Sequence, residues 1–461
     1  MKRFFSIFLV LSTLVTLGAG CGGGGGTAST ATEKVTLKFW SVFDQQDAYR
    51  ELITKYKGAH PNVDIQYRVF RPEEYDKELI RALAEGTGPD IFSVSNSRVG
   101  EFQGLLKPMP TTLNVSSLVT QGTLQKKTSL VAKQESTPSQ KAFKQQFVDV
   151  VANDVIMSYQ PDPKKPAEQR VFGVPFAVDN LALFYNKDLL NSAGIAQVPA
   201  NWDDFRSAVQ KLTKYDATGG VAQSGAALGT GKNVDRASDI ISVLMMQNGA
   251  PMVDERGKPA FDTIPAGTQR GIFPGLDAVR FYTDFANPVK DVYTWNDTFP
   301  GSVTAFSRGQ TAFMLGYSYD VAALQAAAPK LNYAIAPLPQ IAGGKQMNIA
   351  NYWVQGVSKT SKFSDYAWNF LLYASSPANV TSYLAKSGKP TALRSLIGTQ
   401  STDEKISVFA DQLLTASSWY HGKDAVAAEK ALTDLAANVL AGIDKPEDAI
   451  GQAVRVVGQT Y

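Results

Sequence analysis

The residue types that carry nucleophilic and metal chemistry are scarce in this chain. Its 461 residues include two histidines and one cysteine. His60 precedes a proline and is interpreted as a turn residue, and His421 stands beside a glycine, so neither has the setting of a triad base. Two histidines supply a zinc site poorly, and no loop matches the spaced acidic pattern of a calcium site. The sequence therefore predicts no catalytic residue, no metal and no cofactor.

The glycine motifs that could bind phosphate are incomplete. Residues 229–232 approach a P-loop, but the first glycine that the motif needs is Ala226 and its final hydroxyl residue is Asn233. Residues 86–88 lack the third glycine of a dinucleotide turn, a place taken by Ile91. Phosphate chemistry is therefore disfavoured.

The elements at the start of the folded body predict a sheet with covering helices. Residues 35–40 alternate apolar and polar, a helical pattern follows, residues 63–69 alternate again, and a second helical pattern leads to a strand at 90–94. This order is typical of a parallel sheet in an α/β fold. Ligands bind beyond the carboxyl ends of such strands. Those ends fall at residues 41–44 and 95–98.

The first residues predict export. Lys2 and Arg3 precede an apolar run over 4–17 and small residues, the pattern of a signal peptide over 1–20. The run is too short for a membrane span. Residues 17–21 resemble a bacterial lipobox, in which Cys21 is lipidated, although Gly18 stands where the lipobox prefers leucine. An ordinary secretory signal is the alternative.

Composition limits what the rest can be. The glycine run at 22–26 begins a flexible linker that extends to residue 33. The net charge of +3 argues against nucleic acid as a partner. The body exceeds one ordinary core, so two lobes are expected. The polar segment 111–166 is interpreted as an exposed excursion, with a partner-docking arm as the alternative.

The body resembles the extracellular solute-binding proteins of carbohydrate ABC importers, the maltose-binding-protein type. The segments that carry the resemblance are KVTLKFWSVF, HPNVDIQYR, GTGPDIFSVS, FGVPFAVDNLALFYNKDLL, WDDF, FSRGQTAFMLG and EKALTDLAANVLAGIDKPEDAI. It implies a type II periplasmic-binding-protein fold, in which two α/β lobes close over a sugar and are presented to permease subunits. It also implies a lipid-anchored, extracytoplasmic, monomeric protein that is not an enzyme.

The lobes are assigned from the two extended segments that could cross between them, at 171–187 and 331–339. Lobe 1 comprises residues 34–177 and 339–408, and lobe 2 comprises residues 178–338 and 409–461. We expect the lobes to open and close about strands near 177–179 and 336–339.

The resemblance also implies polar ligand contacts. In the family an acid four residues after a proline accepts hydrogen bonds from sugar hydroxyls, and here Pro175 is followed by Asp179. A structural cap or an interlobe ion pair is the alternative for Asp179. Arg98 matches an arginine that faces the cleft. Ser97 replaces the acid of the maltose protein, and Asn96 could supply a replacement hydrogen bond.

Aromatic side chains are the second part of sugar recognition. A pyranose has an apolar C–H face on which a flat ring can stack. The candidates are Phe43, Tyr317, Tyr319, Trp353 and Trp419. Any one of them could instead belong to the core.

Other functions stay open at this point. A glycoside hydrolase needs two carboxyl groups at a set separation. Asp44 and Asp235 are available beside Asp179 but form no motif with it, so binding is the simpler explanation for Asp179. Asp44 lies at the carboxyl end of the first predicted strand and is a candidate binding residue. A polyol, glycerol phosphate or polyamine could replace the sugar, and a passive surface lipoprotein is a third class.

Overall fold

The computed structural model describes residues 33–122 and 126–461. The predicted signal peptide and lipidation site, Cys21, lie outside the described residues. Within the described residues, no helix combines the length and the apolar character that a membrane span needs.

The described chain alternates strands and helices. The strands are β1 Val35–Val42, β2 Val63–Phe70, β3 Ile91–Ser95, β4 Thr112–Gln121, β5 Lys127–Ser136, β6 Ile156–Tyr159, β7 Glu168–Val171, β8 Asp179–Asn180, β9 Ala182–Asn186, β10 Lys214–Tyr215, β11 Val221–Ala226, β12 Thr311–Gly316, β13 Tyr333–Pro337, β14 Asn348–Asn351, β15 Trp353–Val357 and β16 Ala416–Ser417. The helices are α1 Gln46–Ala59, α2 Pro72–Ala84, α3 Val99–Phe102, α4 Gln140–Gln146, α5 Asp149–Val155, α6 Lys187–Ser192, α7 Trp202–Leu212, α8 Ala237–Gln247, α9 Pro274–Asp284, α10 Ser302–Ser307, α11 Ser318–Ala327, α12 Ser364–Ala374, α13 Pro377–Ser387, α14 Arg394–Gln400, α15 Ser407–Gln412, α16 Ala425–Ala441 and α17 Pro446–Gly458.

The first sheet has the strand order β15-β3-β1-β2. β1 pairs in parallel with β2 and β3, and β15 runs antiparallel to β3. The apolar residues of β1 are buried at alternate positions, as the alternating sequence predicts. α1 buries Tyr49, Leu52 and Tyr56, which share one face at helical spacing. The carboxyl ends of β1 and β3 and the first residue of β15 therefore meet at one edge.

The second sheet has the order β10-β11-β12-β9-β13. β12 is buried along its whole length, because helices cover it and β9 and β11 pair with it on either side. α7, α8 and α9 contribute to the same core, and α16 and α17 return to it from the end of the chain.

Two hydrophobic cores divide the described chain, which from Lys34 to Tyr461 forms one compact unit. The chain leaves the first core after Val178 and enters the second at Leu181. It returns between Ile349 and Ala350, which is later in the chain than the predicted boundary at 338/339. The small sheet β16-β14-β8 lies at these crossings.

Two segments differ from the sequence-based expectation. The polar stretch 111–166, which the sequence predicts to be an exposed excursion, contains the long antiparallel pair β4 and β5 and the helices α4 and α5. The segment 171–187 is not one continuous strand. It breaks into single bridges at Val174 and Ala177 and the strands β8 and β9, because its backbone pairs in turn with several different partners.

Candidate ligand-binding site

A cavity of about 550 Å³ lies between the two cores. Its walls combine aromatic rings, small apolar side chains, amides, hydroxyls and a few charged groups. The lining residues are Phe43, Asp44, Ser95, Asn96, Ser97, Phe176, Ala177, Asp179, Arg236, Ser238, Asp239, Ser242, Tyr319, Ile349, Ala350, Asn351, Tyr352, Trp353, Gln355, Tyr383, Lys389, Ser418, Trp419, Tyr420, Ala425, Ala428, Glu429 and Leu432. A volume of this size, with sparse polar groups on an apolar lining, is typical of a small-molecule site.

All but two of the predicted binding residues line the cavity. The seven that line it are Phe43, Asp44, Asn96, Asp179, Tyr319, Trp353 and Trp419. Arg98 and Tyr317 do not line it.

The prediction that Arg98 faces the cleft differs from the structure. Its guanidinium is held by Asp76 at 2.5 Å and by Glu101 at 2.7 Å. The hydrogen bonds that Arg98 donates to Glu101 raise the pKa of Arg98 above its ordinary value. Because α3 places Glu101 one turn after Arg98, the side chain folds back on its own helix and away from the cavity.

Tyr317 is buried beneath the cavity wall. Its hydroxyl donates to Asp239 Oδ2 at 2.6 Å, and its ring stacks on Tyr319 with the ring centres 5.4 Å apart. Tyr319 is 46% exposed and lines the cavity. Tyr317 therefore supports the exposed ring of Tyr319 from below.

Two aromatic side chains of the first half stand at the sheet edge, Phe43 exposed and Trp353 partly buried. Phe43 follows β1 and is 54% exposed, and its ring meets Trp353 edge-to-face at 5.7 Å. Trp353 begins β15 and pairs with Ser95, so the sheet topology places both rings at one edge. Phe43 also has a φ of 68°, a conformation that is costly for a bulky residue. Such strain concentrates at functional sites.

Trp419 and Asn96 lie deeper in the wall. Trp419 is almost fully buried and donates to Ser242 Oγ at 3.0 Å. The Asn96 amide donates to Ser418 Oγ at 2.9 Å, and its oxygen accepts from the Tyr352 backbone at 3.2 Å. The polar groups of both residues thus already have protein partners.

Asp179 lies at the cavity wall and also at the start of α11. Its carboxylate accepts from the Ser318 backbone N–H at 3.0 Å, the Ser318 hydroxyl at 2.6 Å and the Asn180 N–H at 2.9 Å. Burial raises its pKa to about 6, while the bonds from Ser318 and Asn180 act in the opposite direction. These bonds use most of the acceptor sites of a carboxylate. The capping alternative therefore describes its contacts in this structure, while a ligand contact stays a prediction.

Asp44 lies at the opposite wall in an ion pair that sequence reasoning missed. Lys389 Nζ is 2.5 Å from Asp44 Oδ1, and the Tyr383 hydroxyl donates to Asp44 Oδ2 at 2.8 Å. Lys389 and Tyr383 both line the cavity. Lys389 lies far from Asp44 in sequence, so no local motif could have paired them.

A second group of charges lines the other half. Arg236 bonds Asp239 through two nitrogens, each at 2.8 Å, and reaches Glu429 on α16 at 3.2 Å. The charge of Asp239 is the main cause that raises the pKa of Arg236. Arg236 has a φ of 55°, so both non-glycine residues with positive φ in the described chain line this cavity. No sequence pattern marked this group.

A histidine, an aspartate and a serine lie together at the cavity wall, but not in the arrangement of a catalytic triad. Asp154 pairs with His421 Nε2 at 3.0 Å behind the cavity wall, but the hydroxyl of Ser418 donates to Asp154 rather than to the histidine. A serine nucleophile would have to bond the histidine that acts as its base, and Ser418 does not bond His421. Within residues 33–122 and 126–461, no cluster of His, Cys, Asp and Glu could hold a metal ion.

Comparisons with known proteins agree with this arrangement. The model of the family described as bacterial extracellular solute-binding protein matches residues 43–381. A galactooligosaccharide-binding protein of Bacillus subtilis is 21% identical over 383 residues, which are 80% of this chain and 77% of the relative. An arabinooligosaccharide-binding protein of Bacillus subtilis is 24% identical over 264 residues, 56% of this chain and 51% of the relative. The crystal structure of a cyclic alpha-maltosyl-1,6-maltose binding protein from Arthrobacter globiformis superposes with a TM-score of 0.68 at 18% identity, covering 92% of this chain and 98% of that one.

The fold is that of a type II periplasmic binding protein, as predicted from the sequence. The chain belongs to the bacterial extracellular solute-binding proteins, and the predicted resemblance to the maltose-binding type is confirmed. Membership of this family indicates an extracytoplasmic location.

Proposed function

We propose that this protein is the receptor of an ABC importer that captures an oligosaccharide outside the cytoplasm and delivers it to membrane permease subunits. The observation that carries the proposal is the cavity between the two cores, with aromatic rings lining it on both sides. Phe43 and Trp353 stand on one side and Tyr319 on the other. Rings placed this way can stack on the apolar faces of a sugar while amides and hydroxyls bind its hydroxyl groups.

The relatives support the same class of ligand. The curated relatives include proteins named for galacto-, arabino- and maltooligosaccharides, and the maltooligosaccharide relative of Streptococcus pneumoniae is an ABC transporter solute-binding lipoprotein. We propose as ligand contacts the seven predicted residues at the cavity, Phe43, Asp44, Asn96, Asp179, Tyr319, Trp353 and Trp419.

Closure of two lobes is the proposed mechanism. The two lobes are proposed to correspond to the two hydrophobic cores, with the return crossing between Ile349 and Ala350 instead of the predicted 338/339. Ligand favours the closed form because it contacts both lobes. The protein acts as a monomer anchored by lipid on Cys21 after removal of the signal peptide. No bond of the ligand is made or broken in this process.

Thermal unfolding with and without sugars tests the function. A ligand that binds only the folded state raises the melting temperature by linkage. We expect at least one of galactotriose, maltotriose, mannotriose and arabinotriose to do so and to be recovered unchanged. If none of the four raises the melting temperature, the proposal is wrong. If the sugar is hydrolysed, the glycoside hydrolase alternative replaces it.

A matched pair of tyrosine variants locates the effect. Tyr319 and Tyr215 are similarly exposed, at 46% and 50%, but only Tyr319 lines the cavity. Tyr319→Ala should reduce the sugar-induced rise in melting temperature, whereas Tyr215→Ala should leave it unchanged. Equal behaviour of the two variants would place the binding site elsewhere.

A further inference from the structure

The charged groups of the cavity wall are arranged in pairs. Among the described lining residues the cations are Lys389 and Arg236. Lys389 contacts Asp44, and Arg236 contacts both Asp239 and Glu429. With Asp179, the lining carries four carboxylates against two cations, so both cations are already paired with protein carboxylates and the acidic groups outnumber them.

Three helices begin at the cavity. Ser238 of α8, Tyr319 of α11 and Ala425 of α16 each lie in the first turn of their helix and line the wall. The amino end of a helix carries partial positive charge and unpaired N–H groups, which make it a natural anion site. This geometry alone would favour a phosphate or carboxylate ligand.

The protein's own carboxylates already occupy these helix ends. Asp179 accepts from the Ser318 N–H at the start of α11, and Asp320 accepts from the Tyr317 N–H at 2.9 Å. Asp424 accepts from the Ala427 N–H at 2.9 Å at the start of α16. Asp239 lies in the first turn of α8. An anionic group of a ligand would therefore find N–H groups that protein carboxylates already occupy at α11 and α16, and at α8 the Arg236 guanidinium, which Asp239 and Glu429 already pair.

We infer that the cavity admits an uncharged or amino-bearing oligosaccharide and rejects sugars that carry carboxylate or phosphate groups. The inference rests on the proposed function and narrows its ligand class. It disfavours glycerol phosphate, which the sequence left open, because like charges brought together at a buried contact oppose binding.

Matched sugar pairs test the inference. Each of galactotriose, maltotriose, mannotriose and arabinotriose is titrated calorimetrically beside the same trisaccharide with its primary alcohols oxidised to carboxylates. We expect the oxidised partner of any sugar that binds to be at least about tenfold weaker. The deficit should shrink as ionic strength rises, since salt screens charge but not shape.

The carboxamide of each oxidised trisaccharide is the control, because it has nearly the same shape without the charge. We expect it to bind within a few-fold of the parent sugar. Equal binding of the carboxylate and its parent, or equal loss for the carboxylate and carboxamide, would overturn the inference and leave the proposed function standing. If no sugar of any form binds, both fail together.

A charge-removing variant assigns the effect to the cavity wall. Glu429→Gln removes a lining carboxylate on α16, and Asp434→Asn removes an exposed one from the same helix outside the lining. We expect Glu429→Gln to lower the ratio of the dissociation constant of the oxidised trisaccharide to that of its parent sugar. Asp434→Asn should leave that ratio unchanged. If the two variants behave alike, the carboxylates of the wall do not set the selectivity.

Discussion

Phe43 has two properties that stability alone does not explain. Its backbone has a φ of 68°, and its ring is 54% exposed at the cavity wall. A bulky residue in the left-handed region costs free energy, and an exposed ring recovers little of it by burial. The combination is expected of a side chain that is retained because it contacts a ligand.

Replacing Phe43 should therefore separate stability from binding. Phe43→Gly relieves the backbone strain, so we expect the free energy of unfolding to change by less than about 1 kcal/mol. Sugar binding should weaken by about 1.5–3 kcal/mol, the usual value of burying one phenyl ring. Chemical denaturation and calorimetry measure the two quantities. Phe43→Tyr is the control that keeps the ring, and a glycine variant with unchanged affinity would remove Phe43 from the site.

Two acids at the start of α11 make stability depend on pH. Burial raises the pKa of Asp179 to about 6 and that of Asp320 to about 7. The unfolded chain releases these protons near pH 4, so between about pH 4 and 7 the folded state binds more protons. Their contribution to stability is therefore present at low pH and is lost as the pH rises through the folded values.

The variant Asp320→Asn tests the predicted direction of this pH dependence of stability. The amide oxygen can still accept from the Tyr317 N–H but carries no charge. We expect the variant to be more stable than the parent at pH 8, by about 2 kcal/mol or more, and nearly equal to it at pH 4. Urea unfolding at both pH values gives the comparison. A gain of equal size at pH 4 would contradict the raised pKa as its cause.

The residues of the site were predictable only where sequence position implied spatial position. Phe43 and Asp44 follow a recognisable strand, and Asp179 follows a motif of the family. Lys389 and Glu429 have no such signal, because their partners Asp44 and Arg236 are distant in sequence. Arg98 does not line the cavity as the family motif predicted, because the Glu101 carboxylate, three residues later, binds its guanidinium.

At the scale of elements, local periodicity located the first strands well. The predicted strands 35–40, 63–69 and 90–94 correspond to β1, β2 and β3 with boundaries within two residues. The β4–β5 hairpin was missed because its strands are rich in polar residues and largely exposed, so they show no clear alternation. The breaks in segment 171–187 come from tertiary pairing, which periodicity does not show.

Two glycines in helices give a prediction at this scale. A Cβ on Gly275, at the start of α9, would lie 1.9 Å from the Phe261 carbonyl oxygen, whereas a Cβ on Gly58 in α1 meets nothing within 4 Å. Gly275→Ala should destabilise the protein by about 1–3 kcal/mol or more through overpacking. Gly58→Ala should stabilise it by about 0.5–1 kcal/mol through backbone entropy. Denaturation midpoints compare the two, and equal effects would contradict the close packing of α9 on this loop.

At the scale of the molecule, the chain crossings are tied together next to the cavity. Asp154 in the first core accepts from the hydroxyls of Tyr352 and Ser418 at 2.6 Å and 2.8 Å, and it pairs with His421 at 3.0 Å. Tyr352 follows the crossing between Ile349 and Ala350, and Ser418 lies in the crossing from Ala416 of the first core to Trp419 of the second. Both residues line the cavity. This network gives the two halves a defined connection about which they could move.

Ligand-dependent closure should be visible in solution. We expect small-angle X-ray scattering to give a smaller radius of gyration with a saturating sugar than without it, because a ligand held by both halves favours their approach. The Tyr319→Ala variant at the same sugar concentration is the control. An unchanged radius with sugar demonstrably bound would contradict closure but not binding.

The most direct test of the central claim is a crystal structure of the protein with the trisaccharide that most raises its melting temperature. The account predicts that the sugar lies in the cavity between the two cores, with a ring stacked on Phe43, Trp353 or Tyr319 and hydroxyls bonded to groups from both halves. A sugar bound outside this cavity, or held by one half alone, would contradict it.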